Sequence, residues 1–131
     1  LHGNGEDSSY FKHQIEHFCD RYRVIAPDTR GHGKSLRGTS PFTIRQFSCD
    51  LYDFMKNHQI PKAVILGFSD GANIAMRFAM KHPDMIREDH TRKIAENIPN
   101  ARLAIIEGDH FVANKRSEEF NREVDRFLES L

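Results

Sequence analysis

An α/β fold built on a mostly parallel sheet is the class this sequence predicts, and three observations predict it. Three apolar runs, at 22–26, 63–67 and 102–107, are each about five residues long and rich in Val and Ile. They are apolar throughout rather than alternating, as strands covered by helices on both faces are. Helical patterns lie between them, and strands alternating with helices imply right-handed βαβ units and a three-layer domain.

The helices are justified one by one. Phe11, Ile15, Phe18 and Cys19 recur at helical spacing, and Ile44, Phe47, Leu51 and Phe54 form a second stripe. The second stripe has a start signal. Thr43 can cap it, Gln46 can reach back as in a capping box, and Phe42 and Phe47 can form a hydrophobic staple. Residues 71–81 are rich in Ala, Met and Phe and predict a third helix. A short helix over 91–98 is stopped by Pro99, and Phe120, Val124, Phe127, Leu128 and Leu131 mark a terminal amphipathic helix.

The chain of 131 residues is enough for one domain spanning 1–131. Lys plus Arg and Asp plus Glu are 19 each, so no net field steers nucleic acid or an anionic membrane. No apolar run is long enough to span a bilayer. Charged residues reach 29%, polar enough to suggest that some core-forming sequence is absent. Cys19 and Cys49 read as buried thiols on apolar helix faces, not as a disulfide framework. No signal peptide is visible, and the expected location is the cytoplasm. The opening Leu1-His2-Gly3 has the look of a strand end, so more chain is expected before it.

The strongest motif is Gly67-Phe68-Ser69-Asp70-Gly71, a G-x-S-x-G with an apolar strand before it and a helix after it. A strand that turns sharply into a helix strains one residue, and small residues two positions either side let the flanking segments approach. The Ser69 hydroxyl is thereby lifted above the sheet at a helix N-terminus. A serine hydroxyl needs a base to take its proton. Of eight histidines, His110 follows the run at 102–107, where α/β sites assemble, and comes after the serine in the chain. His13 and His17 stand at i, i+4 but lack a third metal ligand nearby and read as a solvated helix face. His58, His82 and His90 read as surface residues.

Two glycine-rich segments complete the pattern. His2-Gly3-Asn4-Gly5 is similar to an oxyanion loop, with the Asn4 N–H as one donor and the Asp70 N–H as the other. Gly31-His32-Gly33-Lys34-Ser35 ends like a phosphate loop but has Asp28 where the first glycine is needed. It reads as a structural loop, with Arg30 tying loops together.

The H-G-N-G loop, D-x-R-G-H-G-x-S, G-F-S-D-G and the late G-D-H together resemble the α/β-hydrolase superfamily over nearly the whole chain. They are most similar to small bacterial esterases and to the biphenyl-hydrolase-like, valacyclovir-hydrolase-type branch. The resemblance implies hydrolysis of a small-molecule carboxylic ester or related acyl bond through a Ser-His-Asp triad, with no metal or organic cofactor. Relatives of this fold that open epoxides or remove halides use an aspartate nucleophile, and Ser69 argues against those chemistries. C–C bond hydrolysis or perhydrolysis on the same triad is an alternative, as is a binding protein that kept the fold without catalysis. Substrate identity and oligomeric state are not readable.

The triad acid departs from the pattern. Asp84-Met85-Ile86 fits the end of the family's G-x-x-D-x-I, and Asp84 stands 26 residues before His110, room for a helix and a strand. Yet only 15 residues separate it from Ser69, and the helix after the elbow uses most of them. A strand, a crossover helix and another strand need roughly 30 residues. The expectation is therefore a segment missing near Pro83 and Asp84, including the lid and neighbouring strands, with Asp84 as the acid. Asp89 is a weaker candidate, and Glu88 reads as solvated.

Overall fold

The structure is a computed structural model and describes residues 1–86, 106, 109 and 111–130. Five α-helices lie among them: α1 (Lys12–Phe18), α2 (Ile44–Asn57), α3 (Asp70–Lys81), α4 (Val112–Lys115) and α5 (Ser117–Leu128). Short 3-10 turns precede α1 and follow α3, at Ser8–Phe11 and Pro83–Met85. The helix expected over 91–98 lies outside the described residues, as does most of the run at 102–107.

The segment at 63–68 is the axis of the molecule. At its start, Ala63 forms a parallel bridge with Ile86, and the Ala63 N–H donates to Met85 O at 3.0 Å. At its end, the Leu1 amino group donates to Leu66 O, and the Phe68 N–H donates to Leu1 O at 3.0 Å. That is the slanted pattern of parallel pairing. The central segment thus has parallel neighbours on two sides.

Side chains alternate across this segment, as an extended backbone requires. Ala63 and Ile65 face a core made by α2 and α3, where Met55, Phe78, Ala79, Met85 and Ile86 are buried. Leu66 and Phe68 face a second core made by Tyr10, Phe11 and Ala113, with Ile15 and Phe120 against it. Helices therefore cover both faces of this segment, although among the described residues it carries an isolated bridge at Ala63 and not the strand expected at 63–67. Gln14, buried in α1, ties the second layer together: its Nε2 donates to Ala113 O and to Asn121 Oδ1, both at 2.9 Å.

The start of α2 forms largely as the sequence dictates. Thr43 Oγ1 accepts from the Gln46 N–H at 3.2 Å, and the Phe42 and Phe47 rings meet edge to face at 4.9 Å. The reciprocal half of the capping box does not form, because the Gln46 amide donates to Asp50 Oδ1 instead.

Three expectations are corrected. The run at 22–26 is not a strand, and Tyr22, Val24 and Ile25 are exposed, because nothing pairs with it among the described residues. Cys19 and Cys49 are both exposed, Cys19 just past the end of α1 and Cys49 on the solvent side of α2. His82 is half-buried rather than on the surface, stacked on Tyr52 at 4.3 Å and tilted against Phe78.

Candidate active site

The elbow is the most strained point of the described backbone. Ser69 has φ 52° and ψ −119°, one of two non-glycine residues with positive φ among the described residues. Strain of this kind persists only where the surroundings over-determine it. Here they do so through two glycines. A Cβ on Gly67 would stand 2.4 Å from Gly71 O, and a Cβ on Gly71 would stand 2.0 Å from Leu1 O. Strand, turn and helix pack so closely that no side chain fits between them. Ser69 itself is exposed and caps α3.

The H-G-N-G loop lies directly against Ser69, with a Cβ on Gly3 only 3.1 Å from the Ser69 Cβ. His2, 2% exposed, holds this loop. The Thr29 N–H donates to His2 Nε2 at 2.9 Å, so Nδ1 carries the proton and donates to Gly3 O at 2.8 Å. Because the trans peptide is planar, anchoring the Gly3 carbonyl turns the Asn4 N–H to the opposite side. Neither the Asn4 nor the Asp70 N–H has a partner among the described residues. Gly3's own N–H is occupied by Glu6 Oε2 at 3.0 Å. Both donors expected for an oxyanion are thus unoccupied among the described residues.

His110 lies outside the described residues. Its flanks do not. Asp109 accepts from the Phe111 N–H at 2.9 Å and is paired with Lys115, and this lysine, followed by the Phe111 N–H, holds its carboxyl below the usual range. Ala113, three positions after His110, shares one buried cluster with Phe68, the residue before Ser69.

Asp84 is not brought to Ser69. It is exposed, in the 3-10 turn at the foot of the central segment. Ile86 pairs there with Ala63, whereas Ser69 lies past the segment's other end. Six extended residues separate those ends by roughly 20 Å.

The loop after 22–26 is structural, as its sequence indicates. Asp28 accepts the N–H groups of Lys34 at 2.8 Å and of Ser8 at 2.7 Å, and these, Lys34 first, hold its carboxyl below the ordinary range. Arg30 makes a two-pronged pair with Asp50, its Nε donating to Oδ2 at 2.8 Å, and so ties the loop to α2.

Two residues at the site escaped the sequence reading. Glu6 folds back on Gly3, and its i, i+3 spacing after a turn glycine was the available signal. Tyr10 stacks on Phe68 at 4.5 Å, with its hydroxyl buried and unpartnered among the described residues. Burial first, then the charges of Glu6 and Asp109, push its phenol up to about 12.

A family model described as alpha/beta hydrolase fold matches residues 1–88. The chain is 33% identical over 97 residues to 3-oxoadipate enol-lactonase 2 of Acinetobacter baylyi, covering 74% of this chain and 36% of that protein. It resembles the structure of a thermophilic esterase from Thermogutta terrifontis, with 34% identity, a TM-score of 0.60, and coverage of 65% and 32%. A CIB-like hydrolase from Thermoplasma acidophilum matches all of this chain and 84% of its own, with a TM-score of 0.83. At 21% identity, that last likeness shows the fold alone. The chain spans about a third of the length of the curated relatives it matches.

Proposed function

Because this chain belongs to the alpha/beta hydrolase fold family, we propose that it carries the nucleophile and oxyanion machinery of a serine hydrolase acting on a small-molecule carboxylic ester or related acyl bond. The observation that carries this reading is Ser69 itself. A serine held at positive φ, exposed, at the N-terminus of α3 and in contact with Gly3, serves acyl chemistry better than it serves stability.

In this reading Ser69 attacks the carbonyl while His110 takes its proton. The negative oxygen that develops is met by the Asn4 and Asp70 N–H groups. Each such donor is worth about 2.7–4 kcal/mol in the transition state. The tetrahedral intermediate collapses with cleavage of the ester C–O bond, and His110 gives its proton to the departing alcohol, leaving the acyl group on Ser69. His110 then takes a proton from water as the water attacks that acyl carbon, and returns the proton to Ser69 Oγ as the acid leaves. No metal or organic cofactor takes part.

The acid depends on the chain between Pro83 and Asp84. The family match runs through Pro83 and Asp84 to residue 88 and the 3-10 turn Pro83–Met85 is continuous, so the missing segment rests on spacing alone: 15 residues from Ser69 to Asp84 against the roughly 30 needed. With such a segment restored, Asp84 returns to the end of a later strand as the partner of His110. In the chain as it stands, Asp84 remains at the foot of the central segment. The protein is read as one domain over 1–131, working on small molecules in the cytoplasm.

The experiment is turnover of a simple aryl acetate by the wild type and by Ser69→Ala. Loss of turnover in Ser69→Ala, with an unchanged thermal midpoint, is expected. Activity retained in the variant would refute the role of Ser69.

A further inference from the structure

The Glu6 carboxylate stands beside the proposed nucleophile. Its Oε2 accepts the Gly3 N–H at 3.0 Å, and a Cβ on Gly3 would lie 2.9 Å from that oxygen and 3.1 Å from the Ser69 Cβ. These two legs bound the distance from carboxylate oxygen to Ser69 Cβ at 6.0 Å. The hydrogen bond to Gly3 fixes the charge there, because a loop held by His2 on one side and Glu6 on the other has little room to turn.

No Lys or Arg pairs with Glu6 among the described residues, nor with Asp70, which follows Ser69. The third carboxylate nearby, Asp109, has its own cation in Lys115. Glu6 and Asp70 are thus two carboxylates flanking Ser69 in fold or sequence that have no Lys or Arg partner among the described residues.

Resting on the reading of Ser69 as nucleophile, we propose that Glu6 sets the charge class of the substrate. The site takes acyl donors that are neutral or positively charged near the carbonyl and turns away those that carry a carboxylate there. Two like charges about 7 Å apart, at an effective dielectric of about 20–40, repel enough to cost roughly ten- to fiftyfold in kcat/KM. An ammonium at the same place gains by a similar factor.

The test uses three p-nitrophenyl esters, the acetate, the succinate half-ester and the 4-aminobutyrate, each rate corrected for the enzyme-free release driven by the ester's own carboxylate or amine. The readout is the ratio of kcat/KM values, not any absolute rate. The wild type should favour acetate over succinate by at least about tenfold at low salt, with the amino ester above both. Glu6→Gln keeps an oxygen for the Gly3 N–H but not the charge, and should bring the acetate-to-succinate ratio to within about threefold of unity. Raising salt to about 0.5 M should shrink the wild-type ratio, a measurement that stands even if the variant folds poorly. A ratio unchanged in Glu6→Gln and insensitive to salt, with Ser69→Ala inactive, overturns this inference alone. Equal turnover by Ser69→Ala overturns the Ser69 reading instead, and a wild type that cleaves none of the esters removes both.

Discussion

Gly3 and Ser69 belong to different loops yet stand in contact, with only 3.1 Å between the Ser69 Cβ and the place a Gly3 Cβ would occupy. Leu1, paired with Leu66 and Phe68, is what aligns the two loops. The approach has a consequence at each glycine. On Gly3, a methyl meets the movable Glu6 carboxylate, the Ser69 Cβ and the Phe68 ring, all of which can yield by a few tenths of an ångström. Gly3→Ala should therefore fold but misplace the nucleophile, lowering kcat/KM for an aryl ester by ten- to a hundredfold, to order of magnitude. Steady-state kinetics beside a thermal melt separate the two effects.

Gly71 is the opposite case. Its added Cβ would lie 2.0 Å from Leu1 O and 2.7 Å from His2 O, both backbone atoms that cannot move without breaking the parallel pairing. Gly71→Ala should cost about 3 kcal/mol or more, as severe overpacking does. Urea unfolding measures this, and a loss under about 1 kcal/mol would mean that the elbow is looser than the contact implies.

Strain at Ser69 predicts a trade between stability and activity. A positive φ on a residue with a Cβ costs about 1–3 kcal/mol, and glycine avoids it while giving up roughly 0.5–1 kcal/mol of chain entropy. Ser69→Gly should be inactive yet about 1 kcal/mol more stable than Ser69→Ala. The pair shares the loss of the hydroxyl, so the difference in their denaturation midpoints isolates the backbone.

Acid should unfold this protein through the loop at Asp28 and the Arg30–Asp50 pair. Asp28 is held low by the N–H groups of Lys34 and Ser8, and Asp50 by Arg30 first and Gln46 after burial is offset. A carboxyl depressed in the folded state contributes stability that is complete above its unfolded value of about 3.9. That stability is lost as pH falls through the folded value. The contribution of these two carboxyls to the urea midpoint should be constant from about pH 7 to 5 and be lost below about pH 4. In Asp28→Asn an amide N–H faces a backbone N–H, so the variant should be weaker at neutral pH with a shallower acid limb. Midpoints measured across pH for both proteins check this.

What was legible in the sequence was what local chemistry decides. The Gly67–Gly71 spacing encodes a close approach that only two glycines permit, and Thr43 with Phe42 and Phe47 encodes a helix start from neighbours alone. Residues 22–26 show the limit. An apolar run says what a segment can bury, not whether a partner is there to bury it. Cys19 falls just past the end of α1 and Cys49 on the solvent side of α2, where an apolar stripe does not decide burial. Asp84 fits a motif by letter, but its place is set by how much chain precedes it. Glu6 left only a faint signal, its i, i+3 spacing from Gly3, because its contact runs from a side chain back to a backbone N–H and no periodicity registers that.

Tyr10 gives a last prediction about the wall of the site. Its ring is well placed, stacked on Phe68 at 4.5 Å and edge-on to Phe11 at 5.1 Å, but among the described residues its hydroxyl is buried without a partner. A buried polar group left unmatched costs about 1–3 kcal/mol. Tyr10→Phe keeps the ring and removes the cost, so the folded state should gain about 1 kcal/mol. If the hydroxyl serves only as a wall, kcat/KM for the three esters should change by a common factor of about threefold or less. A loss of tenfold or more confined to one ester would instead place the phenol in contact with that substrate's acyl chain. A stability gain with an equal effect on all three esters would show that Tyr10 acts through its ring packed on Phe68.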